Sequence, residues 1–230
     1  MYPFSLYQLV RLIILAFPFV AAILLGIRFR GEEKKKQGAV IPLMIFIVAL
    51  MFLFRLPFEN LFVTYSSPQN ALHYVIMDGE VIGSVNGKTS SLIIYSRKLI
   101  ADKEKELLYY TESILPKTKK GWKIIADNRL SASADCLKQD FGGYQITLAK
   151  PKRGKIKDYY VIIYYYHVVE CDIVITDSAG SNFQKFAVEY TNKNGIAWWY
   201  AYIEYLNEDY VLIIDGEHVK IDNLHEWLVA

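Results

Sequence analysis

Between positions 167 and 172 the chain gathers the side chains best suited to moving protons or attacking carbon: His167, Glu170, Cys171 and Asp172. An imidazole beside a carboxylate and a thiol is the raw material of general acid–base or nucleophilic catalysis, provided the groups converge. On a strand, His167 and Glu170 point to opposite faces, which argues against their working together. His218 and Asp222 could meet across a turn, where a surface ion pair explains them equally well. The four histidines, His73, His167, His218 and His225, show no H-E-x-x-H, and there is no C-x-x-C. Asn86-Gly87-Lys88-Thr89 and Ser178-Ala179-Gly180-Ser181 resemble fragments of phosphate loops. They lack the leading glycine and following helix that a phosphate cradle needs, so they read as turns. There is no G-x-S-x-G elbow, Walker A or dinucleotide fingerprint. No residue is therefore assigned to catalysis, to a cofactor or to a metal.

Two further sets of residues bear on binding and stability. Cys136 and Cys171 are the only cysteines. If they pair, they close a loop of about 36 residues worth roughly 4 kcal/mol in the chain-entropy model. Spacing alone does not decide pairing, since the Cα separation sets it. The strands Tyr159–Tyr166 and Trp198–Tyr205 carry large side chains on both faces, and Trp198, Tyr200 and Tyr202 share one of them. A strand apolar on both sides is usually covered on both sides. The alternative is an aromatic binding face of Trp198, Tyr200 and Tyr202 that docks a partner or stacks a sugar or peptide.

The elements that position these residues begin with two apolar runs, Leu12–Ile27 and Ala39–Phe54, each 16 residues without a charge. With flanking residues they make two transmembrane spans, about 8–28 and 39–57, each close to the ~20 residues that cross a bilayer. Arg11 and Arg55 lie at the outer edges, where their side chains can snorkel. Phe58 and Phe62 suit the interfacial belt. Arg28, Arg30, Lys34, Lys35 and Lys36 fill the connector 28–38, so the connector is expected in the cytoplasm and both termini outside. Residues 1–56 thus read as a transmembrane hairpin anchor.

Seven of the 26 basic and two of the 24 acidic residues lie in that hairpin, leaving a remainder with 19 basic and 22 acidic, net −3. No basic stripe exists for nucleic acid. The fold class expected for 57–230 is mainly antiparallel β (α+β), either as one domain or as two related β-rich subdomains at 57–126 and 144–230. Ser67 and Pro68 mark the N-cap and first residue of a short helix in the first subdomain. Residues 127–143, aperiodic and ending in Gly142-Gly143, read as a linker or crossing loop. Asn194-Gly195 and Asp215-Gly216 each sit between apolar runs and predict tight hairpin turns.

Ser67-Pro68-Gln69-Asn70-Ala71-Leu72, Ser90-Ser91-Leu92-Ile93-Ile94-Tyr95 and Gly121-Trp122-Lys123 together resemble uncharacterised membrane-anchored proteins of Gram-positive bacteria, over roughly residues 60–125. The resemblance implies a topology and no activity. The expected function is non-catalytic: an extracytoplasmic binding, sensing or adaptor domain at the bacterial envelope. Its partners would be the lipid bilayer and an envelope protein, peptide or polymer. The alternatives are an envelope enzyme with a dispersed site, such as His167, Glu170 and Asp172, or an accessory subunit of a larger membrane complex.

Overall fold

The computed structural model describes residues 6–29, 41, 43–48, 57–102, 105–125, 129–152, 158–166, 172–191 and 194–230. Helix α1 (Leu6–Arg28) is 23 residues long and apolar enough to cross a membrane. Its exposed face carries Leu12, Ile13, Phe17, Val20, Leu24 and Ile27, while Tyr7 and Arg11 on the other face are buried. This inverts the pattern of a water-facing helix, whose exposed face is polar. Residues 43–48 are also helical. The rest of the expected second span, and residues 30–38 of the connector, lie outside the described residues.

A 3₁₀ turn at Phe58–Leu61 precedes α2 (Pro68–Val75). Ser67 caps α2 as expected, its hydroxyl accepting the Asn70 N–H at 3.1 Å. Among the described residues twelve strands follow: β1 (Glu80–Asn86), β2 (Ser90–Asp102), β3 (Lys105–Thr118), β4 (Gly121–Trp122), β5 (Ala134–Phe141), β6 (Tyr144–Pro151), β7 (Tyr159–Tyr165), β8 (Ile175–Asp177), β9 (Gln184–Thr191), β10 (Asn194–Ile203), β11 (Val211–Ile214) and β12 (Glu217–Lys220). They form three sheets ordered β1-β2-β3-β4, β5-β6-β7-β10-β9 and β12-β11-β8. Every pairing in the second and third sheets is antiparallel. Two short helices, α3 (Leu130–Ser133) and α4 (Leu224–Val229), lie among and after these strands.

The chain divides into two compact units, one of Met1–Glu80, Ser96–Tyr109 and Lys120–Ala126, the other of Val81–Tyr95, Tyr110–Lys119 and Asp127–Ala230. In the first unit a β-bridge joins Tyr65 to Trp122, beside the two-residue strand β4. The Asn60 side-chain amide takes over beyond it, accepting the Ile124 N–H at 2.9 Å and donating to the Ile124 carbonyl at 2.7 Å.

In the second unit the five-stranded sheet is covered on both faces. Val161, Ile163, Trp199, Ala201 and Ile203 pack with Leu212, Ile214 and Val219 of the three-stranded sheet and with Trp227 of α4. Tyr160, Ile162, Trp198 and Tyr200 pack with Leu92, Ile94 and Ile114 of β2 and β3. Register places Trp199 opposite Ile163 and Trp198 opposite Tyr164, so strict alternation sorts the doubly apolar strands between two cores. Asp215 (φ 50°) and Gly216 (φ 84°) form the left-handed pair of the tight β11–β12 hairpin, as expected.

Two expectations fail on local grounds. Residues 134–141, inside the expected linker, form β5, and Gly142-Gly143 (φ 54° and 87°) is the two-residue turn into β6. β5 is an edge strand, so it tolerates a polar composition that hides its periodicity. Asn194-Gly195 is not a turn. Both residues pair with β9, and the register shifts between them, so the dipeptide makes a bulge.

Candidate functional site

Three clusters among the described residues gather polar side chains in protected surroundings, and the first joins α1 to the 3₁₀ turn at Phe58–Leu61. Tyr7 and Arg11, four apart on α1, share a face. Arg11 is 6% exposed and bidentate to Glu59, through Nη1 to Oε1 and through Nη2 to Oε2 at 3.1 Å. Its guanidinium carbon lies 3.3 Å from the Tyr7 ring centroid. The Tyr74 hydroxyl donates to Glu59 Oε1 at 3.2 Å. Burial, then the Glu59 charge and that hydrogen bond, push the Tyr74 phenol up to about 12. Burial and Glu59 raise Tyr65 as well. Arg11 is thus committed to an ion pair, where the sequence suggested a snorkelling side chain. Partner choice explains the difference, because Glu59 returns beside it from 48 residues away.

The second cluster surrounds Asp158, which is fully buried. The β1–β2 turn wraps its carboxylate: Lys88 N–H reaches Oδ1 at 2.9 Å, and Thr89 N–H reaches Oδ2 at 2.8 Å. The Thr89 and Ser90 hydroxyls donate to Oδ2 at 2.9 and 2.7 Å. Ser90 Oγ also shares a hydrogen bond with the Tyr160 hydroxyl at 2.8 Å. The Asn86–Thr89 turn therefore does hold an anion in a nest of N–H groups, and that anion is the protein's own carboxylate. Gly87 is required there, since a Cβ would stand 2.6 Å from the Tyr160 oxygen and 2.7 Å from Asp158 Cγ.

The third cluster is built around Glu112 on β3, buried with the aromatic residues that β7, β9 and β10 send to the same side. Trp198 contacts Tyr110, Phe186 and Tyr164 at centroid distances of 5.7, 5.5 and 6.4 Å. Burial raises the Glu112 pKa against the opposing pull of hydrogen bonding with Tyr164 and Trp198 and of the Lys138 charge. The Trp198 N–H approaches the carboxyl without closing a well-aligned bond. Tyr164, half-buried and facing Glu112, is pushed well above the ordinary phenol range. A carboxyl inclined to keep its proton, hydrogen-bonded to a phenol, can exchange a proton and serve as a general acid. Nothing in the sequence around Glu112 signals this, because its partners come from distant strands.

The residues singled out from the sequence are dispersed. His167, Glu170 and Cys171 lie outside the described residues, and Asp172 is exposed. Cys136 on β5 carries a free thiol. Its burial, with Lys138 opposing, pushes the thiol up to about 11, the reverse of an activated nucleophile. His218 and Asp222 are both exposed. Trp198 and Tyr200 are buried in the second core, and Tyr202 is half-buried with its hydroxyl bonded to Asp158. The expected binding face is thus packed against β2 and β3, which supply the covering layer. Among the described residues no group of three metal-ligating side chains converges. No family model, curated protein or solved structure matches the chain.

Proposed function

We propose that this chain is a membrane-anchored binding, sensing or adaptor protein of the bacterial envelope, with two spans and an extracytoplasmic C-terminal domain. The Arg11–Glu59 pair carries the reading. From Arg11 to Arg28, α1 rises about 26 Å, close to the ~30 Å of a hydrocarbon core. Glu59 nevertheless sits beside Arg11, so the chain comes back to the end from which α1 starts. If α1 crosses a bilayer, the segment between must cross it again, and the apolar run Ala39–Phe54 is suited to do so. The basic connector then faces the cytoplasm, and the β domain continues on the outer side. The ion pair fastens the start of that domain to the helix, an arrangement suited to a domain that presents or reports a binding event at the membrane. The partner class is an envelope protein, peptide or polymer.

The test is protease accessibility of a C-terminal tag in intact cells, with lysed cells as the control. Digestion before lysis supports the reading, and protection until lysis overturns it. A second reading, an envelope enzyme, is favoured by Glu112, whose raised pKa and phenol partner suit a proton donor. It predicts that Glu112→Gln abolishes function while the protein remains folded and in the membrane.

A further inference from the structure

Two residues after Glu59, a run of three consecutive large apolar residues begins, facing outward. Leu61 is 78% exposed, Phe62 is 84% exposed, and Val63 follows them onto the surface. A run of this kind is costly in water, since each side chain forgoes the favourable burial of its apolar surface. It is also fixed in place. Phe62 N–H and Val63 N–H donate to the Glu59 carbonyl at 2.9 and 2.8 Å, closing the turn. Asn60 is bonded twice to the Ile124 backbone, and Lys123 Nζ donates to the Asn60 carbonyl at 2.9 Å. The tip is thus held rigidly with its apolar side chains pointing away from the protein.

We propose that Leu61, Phe62 and Val63 form a wedge that inserts into the outer interfacial layer of the bilayer and sets the orientation of the first unit. This rests on the reading of α1 as a membrane span. The depth follows from the ion pair. With Arg28 at the inner headgroups, Arg11 lies about 26 Å higher, near the outer edge of the hydrocarbon. Glu59 shares that level, and the tip is only two to four residues further along. Large apolar side chains at that height belong in the boundary between headgroups and acyl chains. The bilayer is chosen over a protein partner because the wedge is continuous in level with the apolar exposed face of α1.

The experiment uses the full chain in phosphatidylcholine–phosphatidylglycerol vesicles, with Cys136 and Cys171 replaced by Ala. A nitroxide is placed on F62C or, as reference, on F17C in α1. Collision with oxygen reports lipid, and collision with a nickel chelate reports water. The expected result is that both sites lose collision with nickel and gain it with oxygen, position 62 at the shallower depth. Nickel access at 62 with protection at 17 overturns the wedge and leaves the membrane span intact. Nickel access at both sites overturns the span as well. Protection of 62 from both agents assigns the tip to a protein contact and overturns the wedge. A second variant, combining L61S with a labelled F62C, should shift the position 62 nitroxide toward water if the wedge inserts. No shift also overturns it.

Discussion

A double-mutant cycle at Arg11 and Glu59 tests whether the junction between helix and domain is a true buried pair. Both side chains are more than nine-tenths buried, so their charges are screened little by water. Removing one partner from such a pair typically costs about 3–5 kcal/mol, because the other charge is stranded. Arg11→Met should cost more than Glu59→Leu. The Met variant leaves a carboxylate facing the Tyr74 hydroxyl without its cation, whereas the Leu variant leaves a guanidinium that still stacks on Tyr7. Replacing both with apolar residues should return the protein to within about 1 kcal/mol of wild type, for a coupling of about 3 kcal/mol. The assay is denaturant unfolding of the full chain in mild detergent, followed through Trp122, which belongs to the same compact unit. Coupling below about 0.5 kcal/mol would match an exposed ion pair and would falsify the buried junction.

Trp199→Ala should lose about 3–5 kcal/mol, as expected for a buried indole, and a loss under about 1 kcal/mol would show that the first core is not packed as described. Burial raises the Glu112 pKa, so the folded state holds that proton more tightly than the unfolded state. Stability should therefore fall as pH rises from the ordinary carboxyl range through the raised value. Glu112→Gln should remove that slope and be the more stable protein at neutral pH; parallel stability–pH curves for the two proteins would contradict this. Gly87→Ala forces a methyl against Asp158 and Tyr160 and should cost more than the few tenths of a kcal/mol typical of surface changes; a neutral melt would dissolve the nest. Cys136 should react slowly with maleimide at pH 7 and speed up until about pH 11, and fast labelling at neutral pH would contradict its burial.

What was legible in the sequence was what depends on neighbours along the chain. The Ser67-Pro68 helix start and the Asp215-Gly216 hairpin follow from local capping and turn chemistry, and both form. The strands around Tyr160 and Trp198 showed their two covered faces through alternation. β5 escaped notice because an edge strand needs only one apolar side and keeps charges such as Lys138 and Asp140 in view. Asn194-Gly195 misled because the same dipeptide serves a turn or a bulge, and only the register of β9 against β10 decides between them. The ion pair, the nest and the Glu112 cluster were illegible for a different reason. Arg11 meets Glu59 across 48 residues and Asp158 meets Thr89 across 69, distances over which sequence pattern carries no pairing information.

The buried acids of this protein are compensated in different ways, and the differences show where reactivity is left. Glu59 faces a guanidinium and a phenol. Asp158 accepts from two backbone amides and from the hydroxyls of Thr89, Ser90 and Tyr202. Asp177 accepts from the Tyr210 hydroxyl at 3.0 Å and the Ser181 N–H at 2.8 Å. In each of these, well-placed donors replace the water that burial removed, and the carboxylate becomes part of the scaffold. Glu112 has a phenol, a backbone N–H of its own and a poorly aligned indole N–H, with Lys138 acting through its charge. Burial that these donors do not fully offset is what raises its pKa. A ligand that reached this corner and carried a positive charge or good donors would supply what the fold withholds.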